Sequence, residues 1–429
     1  MTATTCTLVL STLALLASSA SNPDESIETV VQEMAEAIKN NYVYPELGAQ
    51  ASQLLLTNLQ EGDYDDLDAQ ELSKRLGGDL LALTNDRHFG VRAMPKFWTP
   101  PSEDEETQVM APPSPPHGFM GVQRLDGNIG YIQLDGFMDA SAIEQSVEAA
   151  MRLVQGSDAL IFDLRTNGGG HPDAVALISS YLFDPETPVH LNSLYSRPDD
   201  QTTEYWTHAN FDTDLAMPDM PAYVLTSSYT FSAAEEFTYN LKNLDRATIV
   251  GETTGGGAHP VDPFVFHDDL GQHYMLILPT AKAVSPITGT NWEGVGVKPD
   301  LECSSDDALD TAMMDALRRE MDRGNEQARF GLAALTARLD PLPLSSEELA
   351  QYAGDYSDRE IKLEDGQLLY RRKGNPDYRP LIAIGEDEFV IEGLSGFIMQ
   401  FERDGLGQIE RIVGLYVQGH SDNSMRVGG

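Results

Sequence analysis

Positive charge is scarce in this 429-residue chain: 28 Lys+Arg stand against 68 Asp+Glu, a formal net charge of −40, and only eight of the bases are lysine. A surface so acidic repels phosphate backbones and anionic headgroups, which excludes nucleic-acid binding and docking on an anionic lipid surface. Cysteine is almost absent, with Cys6 and Cys303 alone. The first lies in an apolar run from about Cys6 to Ala17, followed by small residues with Ser18 and Ala20 at small-x-small spacing, the pattern of a signal peptide over residues 1–21. Export, to a periplasm or out of the cell, is expected. That segment carries no Lys or Arg, and a buried first helix is the alternative. Its removal strands Cys303, so neither an intrachain disulfide nor a cysteine metal cluster follows. Long hydrophobic stretches are missing too: no other run approaches the ~18 apolar residues of a membrane span. The histidines lack H-E-x-x-H spacing, "HDDLGQH" stands alone, and "GETTGGGAHP" has no Lys-Ser/Thr after its glycines. No metal, phosphate loop or cofactor is expected.

What is present divides along the chain. Over residues 22–95 apolar residues recur at helical spacing: Ile27, Val30, Val31, Met34 and Ile38, then Leu54, Leu55, Leu56 and Leu59, then Leu72, Leu76, Leu80 and Leu81. A small helical domain is expected there. Residues 96–118 are rich in proline and acid and read as a linker or lid, too short to hide another domain. From 119 to 325 strands and helices alternate. "NIGYIQLDGF" is a strand, "SAIEQSVEAAMRLVQG" a helix opened by a Ser141–Glu144 capping box and stopped at Gly156, and "ALIFDL" a fully apolar strand. An α/β core is implied. A helix over roughly 306–323 ends it, and residues 340–429 show short strands separated by turns, a small antiparallel β domain.

The stretch "TFSAAEEFTYNLKN" places Ser232 where the strand "AYVLTS" gives way to a helix. Phe237, Leu241 and Leu244 mark its packed face, so Glu235, Glu236 and Lys242 are expected in water. Serine is a favoured helix cap. It is also a candidate nucleophile, because the orphan N–H groups and positive end of a helix stabilise a developing oxyanion. Alone, the motif favours the cap.

Four blocks in order tip that balance: "LTNDRHFGVRAM" at 83–94, "NIGYIQLDGF" at 128–137, "ALIFDLRTNGGG" at 159–170, and "LTSSYTFSAAEEF" running through "GETTGGGAHP" to "TGTNWEGVGVKPD" at 300. Together they resemble the S41 family of serine peptidases, which includes tail-specific processing proteases, the tricorn core protease and interphotoreceptor retinoid-binding protein repeats. The resemblance implies a ClpP/crotonase-like α/β core with an N-terminal helical domain and a small C-terminal antiparallel β domain. It implies Ser232 as nucleophile, with Ser227 and Ser228 as turn residues. The serine–lysine branch needs a G-K-G segment where this chain has Gly255-Gly256-Gly257, so the tricorn-type branch is the better match. Its histidine base maps to His88 and its glutamate to Glu293. That branch has a serine where this chain has Arg87. His259 is the competing base, more suited to a loop or substrate-binding role.

For the oxyanion hole the resemblance implies the N–H of Ala233 and a main-chain N–H of the glycine turn, with Gly169 the first choice and Gly168 and Gly170 beside it. Asp163 and Arg165 are expected to brace that turn. The family's PDZ module has no room between His88 and residue 128, which argues against selection of protein C-termini by that module. The expected function is an exported serine hydrolase acting on a peptide or a small acyl substrate. The alternatives are an esterase and a non-catalytic carrier of a hydrophobic ligand on the same scaffold.

Overall fold

The computed structural model describes residues 23–95, 97–99 and 118–427; the expected signal peptide and most of the expected linker lie outside them. Two compact units emerge, one formed by the chain up to residue 99 together with Val261–Thr280, the other by 118–260 and 281–427.

In the first unit, helices Pro23–Asn41, Pro45–Glu61 and Ala69–Thr84 bury Val30, Val31, Met34, Ile38, Leu55, Leu72, Leu76 and Leu80, as their spacing requires, whereas Leu81 is exposed. The third helix opens with a capping box in which Asp68 accepts from the amides of Gln70 and Glu71. Strand Gly90–Ala93 then pairs antiparallel with His273–Pro279, which pairs with Val261–His267. The hairpin Val261–Pro279 is thus an excursion of the later chain that completes a three-stranded sheet in the first unit. Sequence pattern marks it as β but not its partner, since pairing across 180 residues leaves no local signal.

The second unit is built on a six-stranded sheet. Parallel strands Ile129–Leu134, Ala159–Asp163, Ala222–Thr226, Ala247–Gly251 and Leu301–Glu302 lie side by side in that order, with Phe119–Leu125 antiparallel at the first edge. Every residue of Ala159–Asp163 and Ala222–Thr226 is buried, which is why these strands read as unbroken apolar runs. One face is covered by helices Ala140–Val154, Pro172–Ser180 and Ala233–Asn243, the other by Ala308–Asp322 and Ala328–Leu339. The last of these helices has no counterpart in the sequence reading. Its Gly331 lies so close to Gly127 that a Cβ would come within 2.7 Å of the Gly127 Cα.

The expected capping box at Ser141 is corrected. Helix Ala140–Val154 is capped by Asp139, whose Oδ1 accepts from the amides of Ser141 at 3.0 Å and Ala142 at 3.3 Å. A carboxylate satisfies the same orphan donors and also gains from the positive end of the helix, so it outcompetes the hydroxyl two residues on.

Past a short three-stranded sheet, Ala281–Val284, His190–Ser196 and Gln201–Trp206, the chain ends in an eight-stranded antiparallel meander from Gly354 to Met425, in strict sequence order. Its two ends meet: the Ser357 amide donates to the Met425 carbonyl and the Val427 amide to the Asp355 carbonyl. The interior is filled by Tyr352, Tyr356, Phe389 and Phe401 in edge-to-face contact, with Ile361, Leu381, Met399 and Ile412 around them.

Candidate active site

At the carboxyl ends of the parallel strands, two turns are stitched together. In the first, the Asn167 side chain donates to the Leu134 carbonyl and accepts the Gly169 N–H at 2.9 Å, while the main-chain carbonyl of Asn167 accepts the Phe231 N–H. In the second, Ser227 Oγ donates to the Arg165 carbonyl at 2.6 Å and Thr230 Oγ1 to the Leu164 carbonyl at 2.8 Å. Ser227 is therefore a turn residue. Asp163 and Arg165 brace the first turn: the guanidinium grips the carboxylate at 2.9 and 2.6 Å, and Tyr131 donates to it at 2.6 Å. Burial alone would raise the Asp163 carboxyl, but the bonds from Arg165 and Tyr131 outweigh it and hold the group below the usual carboxylate range.

Ser232 stands at the junction with φ +55 and ψ −123. A side chain that only caps a helix sits on an extended backbone. This conformation is nearly confined to glycine and costs about 1–3 kcal/mol elsewhere, which the surrounding bonds must offset. It is the sharp strand-to-helix turn that lifts a serine hydroxyl clear of its neighbours. Gly169 faces it with φ +116, and a Cβ there would come within 2.7 Å of the Ser232 Cβ and 3.1 Å of the Ala233 nitrogen. Glycine is required by that approach. The Gly169 N–H donates to Asn167 Oδ1, and Gly170, with φ +140, is the next amide of the turn.

Glu235 and Glu236 are also corrected. Both are buried, at 0% and 5% exposure, because cover arrives on the helix flanks as well as on the Phe237–Leu241 face. Each Glu235 oxygen takes two donors: Oε2 the amides of Ser232 at 3.0 Å and Gly257 at 2.7 Å, Oε1 the Gly256 amide at 2.7 Å and Thr254 Oγ1 at 2.5 Å. Burial pushes its pKa up and the four donors pull it back. The S-x-x-E spacing of Ser232 and Glu235 was the signal that could have found this residue. The triple glycine thus serves as a set of main-chain donors.

The same loop carries Glu293 and His259. The Thr254 amide donates to the Val297 carbonyl, Gly294 to Gly256, and Trp292 Nε1 to the Gly257 carbonyl at 2.6 Å. Glu293 Oε2 accepts the Ala258 amide at 2.6 Å and lies 3.4 Å from Nδ1 of His259, which is buried at 2% exposure. One continuous hydrogen-bonded path therefore runs from the Ser232 amide through Glu235 and the glycine loop to Glu293.

In the first unit, His88 follows the third helix, beyond a left-handed Asn85 cap. Buried Asp86 accepts the His88 amide at 3.0 Å, stands 3.8 Å from His88 Nδ1 and receives the Tyr42 hydroxyl at 3.3 Å. A carboxylate so placed fixes an imidazole's orientation. Asp86 went unassigned in the sequence, although the D-x-H spacing carried it. Arg87 is exposed.

Comparison with known proteins follows the same division. The profile of peptidase family S41 matches residues 128–303, and that of the N-terminal domain of peptidase S41 in eukaryotic IRBP matches 19–120. A carboxyl-terminal-processing protease of Synechocystis sp. is 34% identical over 157 residues, 36% of this chain and 34% of that protein. A probable CtpA-like serine protease of Staphylococcus haemolyticus is 28% identical over 179 residues, 42% of this chain and 34% of that protein. The match thus spans about a third of the length of these relatives. Among solved structures, mature CPAF superimposes with a TM-score of 0.51 at 13% identity, covering 71% of this chain and 98% of that one, a likeness of fold. The mixed α/β architecture, the ordered sequence blocks and the two adjoining profile matches agree, and the chain belongs to peptidase family S41.

Proposed function

We propose that this chain is an exported serine peptidase of the tricorn-type branch, cleaving peptide bonds through an acyl-enzyme on Ser232. The observation that carries the reading is the backbone of Ser232: a non-glycine residue held at φ +55 on a strand-to-helix turn, against a glycine whose missing Cβ leaves room for it. Ser232 Oγ attacks the scissile carbonyl, and the N–H groups of Ala233 and Gly170 receive the charge on its oxygen. His88 takes the hydroxyl proton and returns it to the leaving amine. Water then enters, gives up a proton to the same imidazole and releases the acyl group. Glu293 holds the glycine loop and contributes negative charge beside an imidazole.

The 3.4 Å approach of His259 Nδ1 to Glu293 Oε2 favours a second assignment of the base, in which His259 does the work of His88. A fluorophosphonate probe decides these points. Wild type labels and Ser232→Ala does not; equal labelling of both would discard the nucleophile. Loss of labelling in His88→Ala with retention in His259→Ala is the expected pair, and the reverse pattern would move the base to His259. Matched peptide and ester libraries separate peptidase from esterase. The amino terminus of protein recovered from the medium or periplasm tests export and cleavage near residue 21.

A further inference from the structure

A folded chain covers its aromatic rings where it can, since each carries a large apolar area. Among the described residues three aromatic side chains are exposed: Phe97, Trp206 and Tyr229. Phe97 belongs to the first unit, and Trp206 covers one face by stacking on His190 with ring centres 4.5 Å apart. Tyr229 is 65% exposed, three residues before Ser232 in the turn that delivers the nucleophile.

The main chain beneath that ring is fixed at every step. The Ser228 amide donates to Glu252 Oε2 at 3.0 Å and the Tyr229 amide to Ser227 Oγ at 3.1 Å. The Thr230 amide donates to the Ser227 carbonyl at 3.1 Å and the Phe231 amide to the Asn167 carbonyl at 3.1 Å. Slack in the loop therefore does not explain the exposure of the ring. A stiff aromatic on a pinned backbone also loses little entropy when something packs against it.

Gly168 points the same way. Its neighbours Gly169 and Gly170 have positive φ, and a Cβ on either would strike adjacent main chain. Gly168 has neither constraint: its φ lies outside the left-handed region, and a Cβ would meet only Tyr229, the hydroxyl oxygen at 3.8 Å and Cε1 at 3.9 Å, ordinary contacts. The fold does not require glycine there. A bare main chain beside an exposed ring leaves room for another chain to come close. The next residue, Gly169, is the one that abuts Ser232. Ring and hydroxyl thus rest on consecutive residues of one turn.

We propose that Tyr229 is a specificity-determining residue: its ring and the main chain of Gly168 form one wall of the substrate cleft and take a large apolar side chain next to the scissile bond. The inference rests on the assignment of Ser232 as nucleophile. A phenyl or leucyl side chain laid on the ring removes apolar area of both partners from water, whereas a glycine leaves the ring wet.

The test uses matched peptides with Phe, Leu, Ala or Gly at the residue on the acyl side of the cleaved bond, then on the amine side. Wild type is expected to cleave the Phe and Leu peptides with kcat/KM about tenfold above Gly at one of these positions. Tyr229→Ala brings that ratio to within about twofold, while Tyr229→Phe, which keeps the ring, retains it. Both variants should keep the wild-type Tm, because the side chain is exposed. A ratio unchanged in Tyr229→Ala at both positions overturns the wall, and so does an equal loss in Tyr229→Phe, which would give the role to the hydroxyl. Should the peptides prove poor substrates, peptidyl phosphonates carrying Phe or Gly beside the phosphorus give the same ratio from their rates of labelling. Failure of wild type to cleave any peptide or to take either phosphonate would sink the nucleophile and the wall with it; reaction without a preference that depends on Tyr229 would sink the wall alone.

Discussion

Two adjacent acids on one helix meet opposite fates. Glu235 is buried and satisfied, with four donors shared between two oxygens. Glu236, one residue on and rotated by about 100° around the helix, is buried with an oxygen that bonds to nothing. The first clamps the strained Ser232 turn to the glycine loop. The second has the Asn192 and Asn240 amides beside it and the Asp173 carboxylate as its charged neighbour, so burial dominates its chemistry.

The largest effect should come from damaging the satisfied side. In Glu235→Gln an NH2 group replaces one oxygen, and whichever oxygen is lost, two donors then face a donor. Stranding buried donors in this way is expected to cost about 3 kcal/mol in chemical denaturation. The Ser232 turn loses its tether, and fluorophosphonate labelling is expected to fall about 10²-fold, the usual effect of a small misplacement of a reacting group. Unchanged labelling would mean that the clamp has no part in positioning the serine.

Gly169→Ala should act on the same turn from the opposite side. Its Cβ would meet the Ser232 Cβ at 2.7 Å and the Phe231 carbonyl oxygen at 3.0 Å, on a backbone at φ +116. Neither contact is with a flexible side-chain end. A loss of about 2 kcal/mol is expected in thermal or chemical unfolding, with slower labelling by the same probe. A variant as stable and reactive as wild type would show that the two turns part easily.

How much of this was legible in the sequence follows the range of each interaction. The Ser232 turn, the glycine turn and the parallel strands were readable because each rests on residues within about a dozen positions of one another: apolar runs, a small residue at a junction, a triplet of glycines. Glu235 and Glu236 were placed in water because Phe237 and Leu241 define one apolar face, and periodicity cannot show that other segments cover the flanks. The S-x-x-E spacing offered the one local hint for Glu235; Glu236 and Asn192, on separate elements, offered none. The hairpin Val261–Pro279 was readable as β, its partner Gly90–Ala93 was not. At residue 139 the failure was of another kind, since a carboxylate two positions before a serine was a visible competitor for the same cap.

The effect on the other acid leaves the Ser232 turn alone, and its signature is a slope. The Glu236 carboxyl is raised from 4.5 to about 8 by burial. Between those values the folded protein holds a proton that the unfolded chain has released, so its contribution to stability is fully present below about 4.5 and is lost as pH climbs toward about 8. The limiting slope for one proton is about 1.4 kcal/mol per pH unit. Other groups add their own pH dependence, Glu235 with its raised pKa among them, which makes the difference between wild type and Glu236→Gln the quantity to measure. Denaturation at pH 5, 6, 7 and 8 should show wild type losing stability relative to the variant as pH rises. Parallel pH profiles for the two proteins would place the Glu236 carboxyl among ordinary acids and remove the contrast with Glu235.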